Sequence, residues 1–290
     1  MADYQQYFTL IGQLDQETES GFHYMPLFLK NRKVDFDKIL EVESDMQALL
    51  LNKEGELVLR VPLSYGYYCN DTEKLPQLAV RGYIPLDERT KTVRFEYKEK
   101  VIDEFRVPDA RPEVNITSEI PRRVDQERLD LKWKTYYKGE ASLQYKVFYT
   151  NNGGETWQPV GNRTGEQHMQ IDVTELPGGK NCRFAVQVTD GYNNAHAETS
   201  GCVIYDKPYE VTILSPLDGE VLAAGRSILL TGQGYDPNSG REVNEGFVWS
   251  SSKDGELGKG SLVQTKLSEG KHTIKLQIGK STQSVGVRVE

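Results

Sequence analysis

Short runs of alternating apolar and polar residues, bounded by turn residues and recurring about every 8–12 positions, fill nearly the whole chain. Period-two alternation puts one face of a strand against a core and the other in water, whereas a helix needs apolar residues at steps of three or four. Leu57-Val58-Leu59-Arg60-Val61, Val93-Arg94-Phe95-Glu96-Tyr97 and Phe184-Ala185-Val186-Gln187-Val188 are clear cases. In the second, Val93, Phe95 and Tyr97 share one face while Arg94, Glu96 and Lys98 share the other. A sheet with one wet face is antiparallel as a rule. Helical spacing occurs once, at Phe36, Ile39, Val42, Met46 and Leu49, and predicts a helix of a few turns within Phe36–Leu51 followed by a strand. The chain reads as essentially all-β.

One core rarely serves 290 residues, so more than one domain is expected. Two proline-bearing segments divide the pattern. Arg106-Val107-Pro108-Asp109-Ala110-Arg111-Pro112 forces extended backbone, and Tyr205-Asp206-Lys207-Pro208-Tyr209 repeats the device. Each leads into a similar strand, Glu113-Val114-Asn115-Ile116-Thr117 and Glu210-Val211-Thr212-Ile213-Leu214. The division gives modules 1–107, 108–207 and 208–290, joined by short stiff linkers into a fairly extended rod.

The formal charge of −8 argues against a phosphate-binding surface, so nucleic acid is not an expected partner. No apolar run approaches the roughly 18–20 residues of a membrane helix, so membrane insertion is not expected either. The start, Met1-Ala2-Asp3-Tyr4, lacks the basic and apolar regions of a secretory signal; either the chain stays inside or it is a piece of a longer one.

The cysteines are Cys69, Cys182 and Cys202, too few for a disulfide scaffold and without zinc spacing. Cys182 and Cys202 flank an apparent hairpin, with strands near Cys182–Thr189 and Ser200–Tyr205 in a register centred near Tyr192. That register brings the two sulfurs together, as a disulfide or as two buried thiols.

The middle block resembles a fibronectin type III domain. Leu129-Asp130-Leu131-Lys132-Trp133 matches the second strand with its core tryptophan, and Leu143-Gln144-Tyr145-Lys146-Val147-Phe148-Tyr149 the third. Leu176-Pro177-Gly178-Gly179-Lys180-Asn181-Cys182 falls where that family has a corner leading to a tyrosine, and here Cys182 takes the tyrosine's place. The resemblance thus implies that the corner phenol is missing, and that a Cys182–Cys202 bridge could take over its bracing role. Thr150-Asn151-Asn152-Gly153-Gly154-Glu155-Thr156-Trp157 is similar to the S/T-x-D-x-G-x-T-W hairpin box of sialidases, and reads as a structural clamp with Trp157 folded back over the turn.

The third block resembles PKD-type or related immunoglobulin-like modules. The similarity rests on Val211–Gly219, Gly232-Gln233-Gly234-Tyr235-Asp236-Pro237, Phe247-Val248-Trp249 and Leu267-Ser268-Glu269-Gly270-Lys271-His272-Thr273-Ile274. Together these resemblances imply three tandem immunoglobulin-like/fibronectin-like β-sandwiches. Such tandems occur in the C-terminal regions of large secreted or surface bacterial proteins. They imply an extracellular or cell-surface setting and a non-catalytic spacer, docking or adhesion role. The alternatives are a carbohydrate- or protein-binding module, or an accessory region of a secreted peptidase or glycosidase. The first block matches no motif and reads as another sandwich ahead of the tandem.

No catalytic constellation is apparent. His23, His168, His196 and His272 are scattered without HExxH spacing, and there is no G-x-S-x-G elbow or phosphate loop. Cys69 with His23 could form a dyad, although nothing fixes their proximity. His272, on a core strand beside a glycine corner, reads as a hydrogen-bonded structural histidine. No cofactor is expected. Calcium would find oxygen ligands at Asp236-Pro237-Asn238-Ser239 and Asp254-Gly255-Glu256, residues that also favour turns on conformational grounds. The aromatic segment Tyr65-Gly66-Tyr67-Tyr68 suits stacking on sugar or peptide, or else is a strand end with tyrosines over the sandwich rim.

Overall fold

The structure, a computed structural model, describes residues 6–15, 21–31, 34–67 and 77–290. Among these, the only helical segments are the α-helix Phe36–Leu40 and one 3-10 turn, Val173–Glu175. Everything else that is regular is strand, arranged as three β-sandwiches in series.

In the first sandwich, Gln6–Asp15 and Gln77–Pro85 run antiparallel from Tyr7 opposite Pro85 to Asp15 opposite Gln77. Phe22–Tyr24 and Leu29–Asn31 flank the former, and Ser64–Tyr67 flanks the latter. The facing sheet is ordered Leu57–Pro62, Met46–Leu51, Thr92–Tyr97, Lys100–Arg106. Alternation decides what is inside: Phe8, Leu10, Leu14, Leu78, Val80 and Ile84 meet Met46, Ala48, Leu50, Val93 and Phe95 in one core.

The helix expected within Phe36–Leu51 is a single short turn, and Met46–Leu51 is a strand. The helical spacing does not follow the buried side of the chain, since Val42, on the supposed face, is 57% exposed. Met46, Ala48 and Leu50 instead alternate into the core, and both edges of the strand are paired, with Leu57–Pro62 and Thr92–Tyr97. A strand hydrogen-bonded on both edges, with Leu49 and Leu51 buried on its second face as well, outweighs a short helix that buries only Phe36.

The second sandwich places Glu113–Ile116, Arg128–Tyr136 and His168–Asp172 against a sheet of Arg123–Val124, Cys202–Ile204, Gly179–Thr189, Gln144–Thr150 and Gln158–Thr164, with Asn194–Glu198 also on Gly179–Thr189. This is a fibronectin III/immunoglobulin-like arrangement. Trp133 lies at its centre, 5.4 Å ring to ring from Tyr145. The Thr150–Trp157 box is a hairpin clamp. Asn152 Oδ1 accepts from the Thr156 amide (3.0 Å) and the Thr150 hydroxyl (2.7 Å), and Thr150 Oγ1 accepts from the Gly154 amide (3.1 Å). Trp157 folds over Gly154, where a methyl group would already touch its ring.

The third sandwich sets Glu210–Ser215, Ile228–Asp236, Arg241–Glu242 and Leu262–Thr265 against Val221–Leu222, Ser281–Val289, Gly270–Ile278, Phe247–Ser251 and Gly255–Lys259. Trp249 is fully buried, and its Nε1–H donates to Gly260 O at 2.9 Å.

Candidate functional site

A groove of about 950 Å³ crosses the outer face of the first sandwich's leading sheet. Core positions on its floor strands alternate with outward ones, so Thr9, Ile11, Arg81 and Tyr83 face the groove. Ser64 extends the row beside Arg81, and Lys38, Ile39, Val42 and Glu43 form the opposite wall. Tyr83 is 42% exposed yet held from behind: Tyr7 meets it edge-on at 5.2 Å, and Tyr7 is itself buried against Phe36. A fixed, half-exposed ring loses little freedom when something stacks on it.

Two tyrosines singled out in the sequence lie beside this groove. Ser64–Tyr67 flanks the sheet, with Tyr65 opposite Val80 and Tyr67 opposite Leu78, so both lean toward the core side. Tyr65 reaches the groove's rim; its ring is edge-on to Tyr97 at 5.4 Å and its hydroxyl lies 3.4 Å from the Asp45 carboxylate. Partial burial and that carboxylate raise the phenol above its ordinary value. Tyr67 is 52% exposed and outside the groove. Tyr68 and Cys69, and with it the Cys69–His23 pair, fall outside the described residues. The groove residues that the sequence did not reveal, Arg81 and Tyr83, sit on the wet face of a strand, where alternation marks only exposure.

Side chains of one module meet the neighbouring module directly at both joints. At the first, the Asp190 carboxylate accepts from the amides of Tyr192 (3.1 Å) and Asn193 (2.8 Å), folding the turn into a rigid tip. Tyr192 leaves its own sandwich and is buried in the preceding one, 4.9 Å from Phe8 and 6.3 Å from Phe105, with its hydroxyl donating to Asp87 O. Around it, Asn193 Nδ2 donates to Pro108 O (2.8 Å), Thr189 Oγ1 to Leu27 O (3.0 Å) and Gln187 Nε2 to Leu29 O (3.1 Å). Each of these ties a second-module side chain to backbone of the linker or the first module.

At the second joint, Asn238 Oδ1 accepts from Gly178 N (2.8 Å) and Lys207 N (2.7 Å), and its Nδ2 donates to Lys207 O (2.8 Å). Asn151 Nδ2 completes the knot by donating to both Gly178 O (3.0 Å) and Asn238 O (2.7 Å). Asp236 holds the loop, accepting from Asn238 N and Ser239 Oγ. Burial opposes ionisation of Asp236, but bonds from Ser239 and Asn238 outweigh it and lower its carboxyl below the ordinary range.

Thus both calcium-candidate aspartates have structural work. Asp254 accepts from Ser268 N (2.8 Å) and Oγ (2.6 Å), bonds that pull its carboxyl down. No group of three or more His, Cys, Asp or Glu side chains converges among the described residues. His272 is a structural histidine. Its Nε2–H donates to Ser268 O at 2.6 Å, and Nδ1 lies 2.8 Å from the Ser251 hydroxyl. Both ring nitrogens are engaged, and Ser251 is buried while accepting amides from Lys253 and Asp254. This serine–histidine contact braces the glycine corner.

Cys182 and Cys202 are directly opposite on neighbouring strands, buried, and present as thiols. Burial pushes the Cys202 thiol up to about 11. The corner phenol read as missing is supplied from elsewhere: Tyr149, at the end of Gln144–Thr150, donates to Pro177 O at 2.5 Å and lies 3.0 Å from Cys182 Sγ. Burial, then the hydrogen bond with Cys182, raises that phenol far above its ordinary range. A neighbouring strand thus fills the place vacated by Cys182.

No protein-family model and no curated protein matches this chain. Solved structures with partial likeness include fibronectin(III)-like modules of Clostridium thermocellum CbhA (16% identity, 61% of this chain and 94% of that one, TM-score 0.26). Others are domains 4 and 5 of the S-layer protein SbsC (18%, 37% and 64%, 0.24) and the N-terminal four Ig domains of Dscam1 isoform 7.44 (10%, 90% and 68%, 0.32). These likenesses are too distant to carry a statement about activity.

Proposed function

We propose that this chain is a non-catalytic spacer and docking region of an extracellular or cell-surface protein. Its modules, 1–107, 108–207 and 208–290, the last PKD/immunoglobulin-like, act as one stiff unit rather than as beads on flexible string. The observation that supports this reading is Tyr192, a second-module side chain buried to 4% exposure in the first module's core. A small inter-domain contact permits motion by default, whereas a shared apolar core at the first joint and the hydrogen-bonded knot around Asn238 at the second restrict it. Small-angle scattering on the full chain tests the reading. One fixed conformation should fit the data, and Tyr192→Ala combined with Asn238→Ala should require an ensemble. An ensemble for the unaltered chain would overturn the stiff-spacer reading.

The groove favours a second reading, a carbohydrate- or protein-binding role for the first module. Tyr83, braced by Tyr7, supplies a stacking surface beside Arg81 and Glu43. A glycan array and a peptide library, each run with wild type and Tyr83→Ala, test it. Equal signals from the two proteins would sink it.

A further inference from the structure

We propose that Cys182 and Cys202 are joined by a disulfide in the oxidised protein, and that this bond is the covalent brace of the corner on which the third module is mounted. Three observations converge on it. The two residues are directly opposite each other in the antiparallel ladder, and both side chains enter the same core. Directly opposite positions hold their Cβ atoms roughly 4.5–5.5 Å apart, just beyond the approximately 3.5–4.5 Å of a disulfide. The ladder shifts register between Gly179 and Cys182, so the strand has slack where the approach is needed. A small closing movement suffices.

The place matters as much as the pair. Cys182 ends the corner Pro177-Gly178-Gly179-Lys180-Asn181, and two bonds of the second joint are made at Gly178 in that corner. Gly178 N is held by Asn238 Oδ1, Gly178 O by Asn151 Nδ2, and Pro177 O by the Tyr149 hydroxyl, which also lies against Cys182 Sγ. A side chain at Gly178 would collide with Tyr205 and Asp206 backbone, so the corner and the outgoing linker are in tight contact. A cross-link at Cys182–Cys202 therefore ties the end of the corner to Cys202–Ile204, the strand that leads into the linker. The bracing role rests on the stiff-unit reading; the bond itself does not.

The oxidant is a low-molecular-weight disulfide such as glutathione disulfide. One cysteine thiolate attacks a glutathione sulfur, breaking its S–S bond and releasing one glutathione thiolate. The second cysteine then attacks the protein sulfur of the mixed disulfide and expels the other glutathione. Two protein thiols are oxidised, one glutathione disulfide is reduced, and the two protons go to the departing thiolates. Burial of both sulfurs, with Cys202 held protonated, confines this exchange to the folding chain.

The test refolds the full chain in a glutathione/glutathione disulfide buffer and maps a non-reduced digest by mass spectrometry. We expect nearly all molecules to carry a Cys182–Cys202 linked peptide. Alkylatable Cys182 and Cys202, or a bridge from either to Cys69, overturns the proposal. Amide hydrogen exchange on the oxidised and dithiothreitol-reduced forms then tests the bracing role. Protection at Gly178 and Lys207 should fall about ten-fold on reduction. Equal rates overturn the brace. Scattering separates this from the proposed function: a flexible but cross-linked chain refutes the stiff unit alone, and a stiff chain with free thiols refutes the bond alone.

Discussion

The ring of Tyr192 lies 4.9 Å from that of Phe8, so a residue from a turn in the second sandwich completes the core of the first. The arrangement depends on local chemistry at the tip. Gly191 takes a φ of 110°, which only glycine adopts without strain, and Asp190 caps the two amides that follow. The tip is thereby rigid before it meets its partner, and the aromatic ring it projects is buried at little conformational cost.

Tyr192→Ala should cost about 3–5 kcal/mol, the usual range for deleting a large aromatic from a core, and the loss should appear in the first module. Tyr192→Phe keeps the ring and loses only the bond to Asp87 O, so about 1 kcal/mol is expected. Urea unfolding of the full chain, with first-module resonances followed by NMR, checks both. A loss confined to the second module would show that the ring is not part of the first core.

Asn238→Ala removes three bonds that span the joint and strands Gly178 N–H, Lys207 N–H and Lys207 C=O. These groups are only partly buried, so water recovers some of the loss, and about 2 kcal/mol of coupling should disappear. Calorimetry should show the third module melting as a separate transition. Asn238→Asp should behave at least as badly near neutral pH, because the new carboxylate faces Asp236 at the distance of the present 2.9 Å bond.

Alternation made the strands legible because burial in a sandwich has period two, and Phe184, Val186 and Val188 are buried as their parity predicts. The hairpin register centred near Tyr192 likewise sets Cys182 opposite Cys202, as they stand, although the strand that pairs with Ala185–Thr189 is Asn194–Glu198 rather than Ser200–Tyr205. The helix expected at the start of Phe36–Leu51 is shorter than its spacing implies, because apolar residues on successive positions, as in Ala48-Leu49-Leu50-Leu51, satisfy both periods at once. Pairing with distant strands then decides the outcome, and single-sequence spacing carries no information about it. The joints were illegible for a related reason. Asp190-Gly191-Tyr192 sits at the centre of an ordinary hairpin and Asp236-Pro237-Asn238-Ser239 reads as a turn or a calcium loop, and their role at the joints exists only once another module is docked. Likewise nothing marks Tyr149 as the substitute corner phenol, since in the sequence it is only the last residue of the fibronectin-like third strand Leu143–Tyr149.

Acid should weaken the third module through Asp254. Bonds from Ser268 lower its carboxyl in the folded state below the unfolded value of about 4. Such a group stabilises the fold above its unfolded pKa, and the contribution fades as pH falls through the folded pKa. Asp254→Asn should therefore lower the urea midpoint of the third module at pH 7, with the difference shrinking below about pH 4. A difference independent of pH would show that the carboxylate's charge plays no part.

Trp133 and Trp249 are both buried core tryptophans, yet they should respond differently to replacement by phenylalanine. Trp249 Nε1–H donates to Gly260 O, whereas Trp133 Nε1 is buried with no hydrogen-bond partner among the described residues. An unsatisfied buried donor already costs folding free energy, so removing it returns part of what the lost ring volume takes away. Trp249→Phe carries the same kind of volume loss and in addition leaves Gly260 O without its donor. It should thus be more destabilising than Trp133→Phe by about 1–2 kcal/mol. Alanine at either site should cost about 3–5 kcal/mol, because there the missing ring volume dominates. Urea melts of all four variants against wild type decide the matter, and equal losses for the two phenylalanine variants would contradict the assigned role of the indole N–H.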